Sequence, residues 1–347
     1  MVLPVSSNIQ HSAQAQPSLA LGTAGRQAGL IKDAYDLAFD YVLNAEPILY
    51  NFVTRTPRNP DHNAKTVVMQ RFQYLTVGAA EATAAQLSET ADVTPMNVPS
   101  PLDVTITAQE LGALITHTEF FEDAAMVPFD RYLVRLLADH CAKVLDETVQ
   151  SKILADKGVS NTGDYGITVI DGGVATKYAT AGVAAANTAL TPADELTAQN
   201  VRSLALGFAE KDVPTWDGQN YVAVAHPRVL ADIREEGGTG GWRIAKEYIN
   251  DSPLKALPNE VGTFEGVRFI SNNRLRKSTG TGTSTYYSYW FGRDALAKHV
   301  LRAPQTVIAP QTDGLRRFFG LGWKATLGFG IYEPKAIEVV STAASRG

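Results

Sequence analysis

Apolar residues recur at intervals of three and four over the longest periodic stretch of the chain. The spacing runs for about seven turns of helix, through Phe129, Leu133, Leu136, Leu137, Cys141, Val144, Leu145, Thr148 and Ile153. Pro128 suits the first turn of a helix, and Gly158 stands where a C-terminal cap is expected. The pattern therefore predicts one long helix over about 128–156.

A different pattern precedes that helix, because the sequence alternates and is rich in β-branched residues. Its two arms, KTVVMQRFQYLTV and PLDVTITAQELGALITHT, flank a small, polar stretch without an apolar face of its own. In the second arm Val104 and Ile106 are expected on one side of a strand, and Thr105 and Thr107 on the other. We predict a two-armed excursion over 66–118. An isolated two-stranded arm is marginal in water, so something has to cover it.

The second half of the chain alternates between buried strands and helices. TPADELTAQNVRSLALGFAEKDV predicts a helix capped by Thr191 or Asp194, NYVAVAHP a buried strand, RVLADIRE a short helix and GTFEGVRFISNN a hairpin. Two further strands, YYSYWFG and HVLRAPQTVIA, follow. The tail predicts two antiparallel strands that turn at Glu333–Pro334. Together these patterns indicate an α+β fold.

Composition narrows the class of protein. The chain has 347 residues, is 45% hydrophobic, and carries a net charge of −5 with a single cysteine, Cys141. It can build a sizeable core, cannot form an internal disulfide, and is too acidic to grip nucleic acid with its whole surface. The composition of residues 1–28 predicts a mobile arm, and a helical pattern follows from Leu30. No apolar stretch of the chain is long enough to span a bilayer.

The candidate catalytic and metal-binding features are weak. His226 ends a strand and precedes a proline, which fits either a general base or a framework residue at a turn. Asp232 and Glu235, the nearby carboxylates, lie on the following helix, and the framework interpretation is favoured. The six histidines are scattered without metal-ligand spacing, and the glycines at 237–241 and 280–282 lack the context of a phosphate loop. We therefore predict no catalytic, cofactor or metal site.

Charge is distributed unevenly along the chain. Residues 72–130 hold nine acidic residues and no lysine or arginine, whereas 266–317 hold nine basic residues opposed only by Asp294 and Asp313. Two solvated faces of one monomer would explain this distribution. We favour a second interpretation, in which the acidic excursion of one copy lies on the basic surface of the next, because complementary charge fixes register between partners. A third interpretation is DNA binding by 266–317.

The order of these parts resembles the major capsid protein of tailed bacteriophages, with the Hong Kong 97 fold. AAQLSETADVTP is similar to a loop segment of that family, LADHCAKVLDETVQSKIL to its spine helix, YVAVAHPRVLADIRE to its apical domain, and WKATLGFGIYEPKAIEVVS to its closing strands. One departure is Thr90 after Glu89, where many relatives have glycine. The resemblance extends from about Leu30 to Ser341.

The resemblance implies an N-terminal arm (1–65), an extended β-hairpin loop (66–118), a peripheral domain with the spine helix (119–190 and 311–347) and an apical domain (191–310). It implies a structural protein, not an enzyme, that assembles in the host cytoplasm into the pentamers and hexamers of an icosahedral virion enclosing double-stranded DNA. Portal, scaffolding or decoration proteins are the expected partners besides the chain itself. It also implies that His226 is framework.

The charge pattern and the resemblance together predict contacts between subunits. Some relatives cross-link through a lysine on the loop; here no lysine occurs between Lys65 and Lys143, so a non-covalent shell is expected. The predicted intersubunit residues are Glu81, Glu89, Asp92, Asp103, Glu110, Arg274, Arg276, Lys277, Arg316 and Arg317.

Overall fold

A computed structural model describes most of the chain after its first third. The described residues are 39, 48–57, 64–72, 100–120, 129–236, 242–244, 257–279, 284–309 and 317–345. The predicted arm over 1–28, most of the helical pattern after Leu30, and the loop segment AAQLSETADVTP lie outside these ranges, although Phe39 is helical and fully buried.

The described residues form four α-helices and fourteen strands. The helices are α1 (Phe129–Lys157), α2 (Thr180–Ala189), α3 (Ala198–Glu210) and α4 (Pro227–Glu236). The strands are β1 (Thr66–Arg71), β2 (Leu102–Thr107), β3 (Gln109–Thr118), β4 (Ile167–Asp171), β5 (Val174–Tyr178), β6 (Tyr221–Ala225), β7 (Arg243–Ile244), β8 (Glu260–Phe264), β9 (Val267–Ser271), β10 (Lys277–Thr279), β11 (Ser284–Phe291), β12 (Leu296–Ala309), β13 (Phe318–Ile331) and β14 (Ile337–Ala343).

The largest sheet has nine strands and contains most of the core. Its order is β5-β4-β14-β11-β6-β9-β8-β7, with β10 paired to β11. β6 and β9 are parallel neighbours, joined through a connection that includes α4. All five residues of β6 are buried, as its uninterrupted apolar run predicts for a central strand. The predicted strand and the short helix after it are confirmed.

The hairpin of β8 and β9 follows from its turn residues. Glu265 and Gly266 both have positive φ, 49° and 73°. Two consecutive positive φ values are the requirement of the type I′ turn, whose twist matches that of the flanking strands. The predicted hairpin over GTFEGVRFISNN is therefore present.

A second sheet has three strands, in the order β12-β13-β3, and α1 packs on one of its faces. β13 alternates, so Leu321, Trp323 and Leu327 share one face, while the other face carries four glycines, Gly320, Gly322, Gly328 and Gly330. Trp323 Nε1 donates to His140 Nδ1 of α1 over 3.2 Å, which places α1 on the tryptophan face. The long helix is confirmed within one residue of its predicted ends, but Leu136, predicted on its apolar stripe, is 41% exposed.

Two local predictions were wrong for identifiable reasons. The helix predicted from Thr191 begins at Ala198, and Thr197 is its N-cap, accepting from the backbone N–H of Asn200. Asp194 instead closes a turn by accepting from Thr191 and Gly172, which places its carboxylate before the helix. The two tail strands exist, but they do not pair with each other, because β13 belongs to the three-stranded sheet and β14 to the nine-stranded sheet.

The sheets also cut across the predicted domain limits. β12 was predicted in the apical domain but pairs with β13, and β4, β5 and β14 were predicted in the peripheral domain but lie in the nine-stranded sheet. β3, predicted as part of the excursion, pairs with β13 along its whole length. Strand pairing over long sequence separations decides these memberships, and local periodicity carries no signal for it. The domain division itself stays a prediction.

Candidate assembly surface

The two arms of the predicted excursion pair as an antiparallel ribbon of β1 and β2, called the ribbon below. Its register runs from Thr66 opposite Thr107 to Arg71 opposite Leu102. Among the described residues no third strand joins it. Within the described ranges both edges of the ribbon are therefore unpaired, and unpaired edges are sites where another chain can add a strand.

The two faces of the ribbon differ in chemistry. Residues directly opposite each other share a face, so Val67, Met69, Val104 and Ile106 lie on one side. The other side carries Val68 among polar residues, including Thr66 and Thr107, whose hydroxyls lie 3.2 Å apart. Of the twelve ribbon residues only Ile106 is buried. Val67, Met69 and Val104 are half-buried, whereas all six residues on the other side are exposed.

Glycines of β13 hold the root of the ribbon against the body. A Cβ at Gly328 would overlap the Thr107 carbonyl, and one at Gly330 would lie 3.1 Å from Ile106 Cγ1. Glycine is required here because the backbone of β2 crosses β13 closely. The repeated glycines of FGLGWKATLGFG are the sequence signal for this contact.

Polar contacts fix the ribbon at both ends of its described length. His299 Nε2 lies 2.9 Å from the Ala64 carbonyl, just before β1. Arg71 forms an ion pair of 2.5 Å with Glu333, and the Tyr332 hydroxyl donates to the Gln70 carbonyl over 3.3 Å. The root is therefore an integral part of the body. Val68 on the polar side of the ribbon, and Phe72 and Leu102 at its outer end, are 53%, 71% and 41% exposed.

The segment before the ribbon is fastened to α1 by a buried carboxylate. Asp146, 1% exposed, accepts from the backbone N–H groups of Ile48 and Tyr50, each over 3.1 Å. Burial raises the pKa of Asp146, against the opposing effect of these donors and of Arg274. Periodicity did not indicate this residue, because the partners are almost one hundred positions away in the chain.

Only two of the five predicted acidic intersubunit residues, Asp103 and Glu110, lie within the described ranges. Glu81, Glu89, Asp92 and Arg316 lie outside the described residues. Asp103 is exposed on the polar side of the ribbon, opposite Gln70, and Glu110 is exposed on β3, opposite Thr326. A contact of either carboxylate with a second subunit remains a prediction.

Several predicted basic partners make contacts within their own chain. Arg274 pairs with Asp139 of α1 at 2.9 Å, and Arg276 Nε donates to Glu147 over 2.7 Å. Gln150 joins both, accepting from the Arg276 N–H and donating to the Arg274 carbonyl. These contacts hold α1 against the loop before β10. Arg274 and Arg276 thus both contact α1 of their own chain.

Two further basic residues of 266–317, Arg268 and Arg317, also make contacts within their own chain. Arg268, which the prediction counted in the basic surface, is buried between Glu260 and Asp217, at 2.5 and 2.9 Å. The Arg317 carbonyl accepts from Glu119, and its guanidinium lies 5.8 Å from the Phe318 ring. Lys277 is exposed on β10, opposite Tyr286. A basic sequence segment is therefore not one continuous basic surface here.

His226 occupies the corner between β6 and α4. Its ring stacks on Tyr286 at 4.4 Å, and its Nδ1 accepts from the Arg228 N–H over 3.3 Å. Burial, followed by the neighbouring charges of Arg228 and Lys277, lowers its pKa and favours the neutral ring. Asp232, the nearby carboxylate, accepts from Ser345 instead. The contacts of His226 are those of a framework residue.

Within the ranges that the structure describes, no group of three or more His, Cys, Asp or Glu side chains could hold a metal ion. Over those same ranges, no helix is both long and apolar enough to cross a membrane.

Solved structures share this arrangement over most of their length. No protein-family model matches the chain, and no curated protein matches it. The capsid of Ralstonia phage GP4 is similar with a TM-score of 0.62, at 12% identity over 84% of this chain and 87% of that one. The capsid of cyanophage P-SCSP1u gives 0.57, at 15% identity over 85% and 87%.

A third capsid, of cyanophage Pam1, gives a TM-score of 0.56 at 12% identity, over 85% of this chain and 89% of that one. Each of these likenesses includes more than four fifths of the chain. The predicted α+β fold of the Hong Kong 97 type is confirmed.

Proposed function

We propose that this chain is the major capsid subunit of a tailed bacteriophage. Copies of it assemble into the pentamers and hexamers of an icosahedral head around double-stranded DNA. The observation that carries the proposal is the ribbon, which is anchored in the body at its root and leaves eleven of its twelve residues unburied. A strand pair of this kind is completed by a neighbouring copy.

The structures that share the fold support this proposal, because each of them is named as the capsid of a phage. The function is structural, and we propose no catalysis. The proposed location is the virion, after assembly in the host cytoplasm. Portal, scaffolding or decoration proteins are further proposed partners of the assembled shell.

Contacts between copies are proposed to be non-covalent. A cross-link between a lysine and a neighbouring side chain needs an amine on the extended loop, and no lysine occurs between Lys65 and Lys143. Each subunit makes several contacts at once, so individually weak contacts suffice for a stable shell.

DNA binding by 266–317 is the alternative that the sequence left open, and the side-chain contacts count against it. Arg268, Arg274 and Arg276 each pair with a carboxylate of the same chain. Phosphate binding would have to break these pairs. An acidic subunit that keeps its arginines engaged can enclose DNA without sequence-specific binding to it.

Electron microscopy of the expressed protein tests the proposal. We expect closed shells, tubes or rings of five or six subunits, and no turnover of any substrate. A preparation that stays monomeric at high concentration, with steep salt-dependent binding to duplex DNA, would favour the alternative instead.

A further inference from the structure

Two cations lie beside the same tyrosine at the corner where β6 ends and α4 begins. Arg228 stands in the first turn of α4, and Lys277 lies on β10 directly opposite Tyr286 of β11. Because residues directly opposite each other on paired strands share a face, Lys277 and Tyr286 are neighbours on one side of the sheet. His226 and Arg228 also contact Tyr286. We name His226, Arg228 and Lys277 the corner cluster.

The positive charge of the corner cluster is not neutralised by its own chain. Arg228 and Lys277 are both exposed, and within the described ranges neither forms an ion pair with a carboxylate. Asp232, one turn after Arg228, is 4% exposed and accepts from Ser345. The charges of Arg228 and Lys277 both lower the pKa of His226, after the larger effect of burial, so both cations act on one ring.

A buried tyrosine holds the corner cluster in place. Tyr286 is 3% exposed, and the His226 ring stacks on its ring with the centroids 4.4 Å apart. The Tyr286 hydroxyl accepts from Arg228 Nη1 over 3.1 Å, which orients the guanidinium and leaves Nε and Nη2 for another acceptor. Side chains that are fixed before binding lose less conformational entropy when a ligand arrives. The cluster therefore differs from mobile lysines and arginines on an open surface.

The groups that the corner cluster offers are all hydrogen-bond donors. His226 Nδ1 accepts from the Arg228 N–H, so the single hydrogen of the neutral ring is on Nε2. Arg228 offers its remaining N–H groups, and Lys277 offers its ammonium group. The start of α4 adds the positive end of a helix dipole. Three donor side chains with two positive charges suit a phosphate group, which has more acceptor oxygens than a carboxylate.

We propose that the corner cluster binds a phosphate group, either of free phosphate or of a nucleic-acid backbone. The inference goes beyond the proposed function and does not depend on it. It also differs from DNA binding by the whole of 266–317, because only Lys277 of the cluster belongs to that segment. Arg268, Arg274 and Arg276 of the same segment already pair with carboxylates.

Equilibrium dialysis of the full-length protein against radiolabelled inorganic phosphate tests the proposal. Arg228→Gln and Lys277→Gln each remove one charge of the corner cluster, and each should weaken phosphate binding by about tenfold or more. The matched control is Arg234→Gln, which removes an exposed charge from the later part of the same helix and should bind phosphate as the parent does. All three variants should unfold at the parent's denaturant concentration, because the three side chains are exposed.

A double variant tests the role of Tyr286 as a positioning residue. Tyr286→Phe keeps the ring that stacks on His226 and removes the hydroxyl that orients Arg228. It should weaken phosphate binding by about threefold to tenfold in the parent. In the Arg228→Gln background it should cause no further loss. Equal losses in both backgrounds would contradict the assignment of Arg228 as the group that the hydroxyl positions.

Fluorescence anisotropy with a short labelled DNA duplex at low salt separates the two sources of phosphate. Duplex binding that Arg228→Gln and Lys277→Gln weaken, and that Arg234→Gln does not, would assign the site to the nucleic-acid backbone. Binding of inorganic phosphate with the same pattern of variants, and no duplex binding, would assign it to free phosphate. Either result supports the corner cluster as the site.

Other results would overturn the proposal. One is the absence of duplex binding together with no saturable binding of phosphate up to about 10 mM. Another is equal binding of phosphate and duplex by all variants. If Arg228→Gln and Lys277→Gln kept parental binding but raised the concentration needed for particles, the cluster would meet an acidic side chain of another copy instead. Phosphate binding by a parent that forms no particles would support the site and contradict the proposed function.

Discussion

The strands of the nine-stranded sheet and those of the ribbon have similar sequences and opposite surroundings. β6, YVAVA, and β1, TVVMQR, are both rich in β-branched residues, yet every residue of β6 is buried and none of β1 is. β-Propensity describes a residue that fits a pleated, half-buried surface, not the surface that will cover it. Among the described residues, the body buries its central strands, whereas the ribbon keeps eleven of its twelve residues unburied.

The largest predicted difference between the two regions is the effect of shortening a side chain. Trp290 of β11 is fully buried, lies edge-on to Phe269 at 5.5 Å and donates to Ser288. Trp290→Ala should reduce the free energy of unfolding by about 3–5 kcal/mol. Val68→Ala on the ribbon should change it by less than about 0.5 kcal/mol. Chemical denaturation of the dissociated subunit measures both, and equal effects would contradict the comparison.

The root of the ribbon should be sensitive to added volume. Gly328→Val places a side chain against the Thr107 carbonyl, so we expect β2 to shift and the free energy of unfolding to fall by about 1–3 kcal/mol. Gly207→Ala is the matched control, because a Cβ there meets nothing within 4 Å and the residue lies within α3. The control should stabilise by about 0.5–1 kcal/mol. If Gly328→Val left the free energy of unfolding unchanged, the close contact between the backbone of β2 and β13 would be contradicted.

A buried lysine makes the stability of the body depend on pH in the alkaline range. Lys157, fully buried, donates to the Pro334 carbonyl and lies 3.6 Å from Glu338. Burial lowers its pKa to about 8, from 10.5, while Glu338 opposes the shift. The unfolded chain therefore binds more protons between pH 8 and 10.5, so this group's contribution to stability rises with pH across that window and is constant below it.

The comparison variant for this group is Lys157→Met, which removes the titration and keeps the volume. Between pH 7.5 and 9.5 the parent should gain about 1–2 kcal/mol relative to the variant in the free energy of unfolding. A parent and variant that follow parallel curves over that range would show that the lysine keeps its ordinary pKa.

The smallest predicted effect concerns the contact between α1 and the loop before β10. Arg276 and Glu147 are 43% and 48% exposed, so solvent screens their ion pair. Arg276→Ala and Glu147→Ala should be coupled by about 0.2–1 kcal/mol in a double-mutant cycle on the subunit. A coupling that appears only in assembled particles would return Arg276 to the interface between subunits.

The sequence predicted those elements whose signals are local. The three-four spacing from Phe129 to Ile153 located α1, and the segment GTFEGVRFISNN predicted the β8–β9 hairpin. It did not predict α2, because TAGVAAANTA holds small residues without an apolar stripe, nor the cap at Thr197, because Thr191 and Asp194 offered equivalent chemistry.

The missed parts of the candidate surface share a physical cause. The pairing of β3 with β13, the Asp146 contact with Ile48 and Tyr50, and the use of Arg274 and Arg276 on α1 all join residues far apart in sequence. Charge counts along 266–317 could not show which arginines already have carboxylate partners. The exposure of Leu136 was not predicted, because periodicity shows which residues share a helix face but not which part of that face another element covers.

Hydrogen exchange on dissociated and assembled protein tests the central claim most directly. Amides of 66–71 and 102–107 should exchange quickly in the subunit and become at least about tenfold slower in particles, as a partner covers the ribbon. Amides of β6 and β11 should be protected in both states. A ribbon as well protected in the isolated subunit as in the particle would contradict the claim that a second copy completes it.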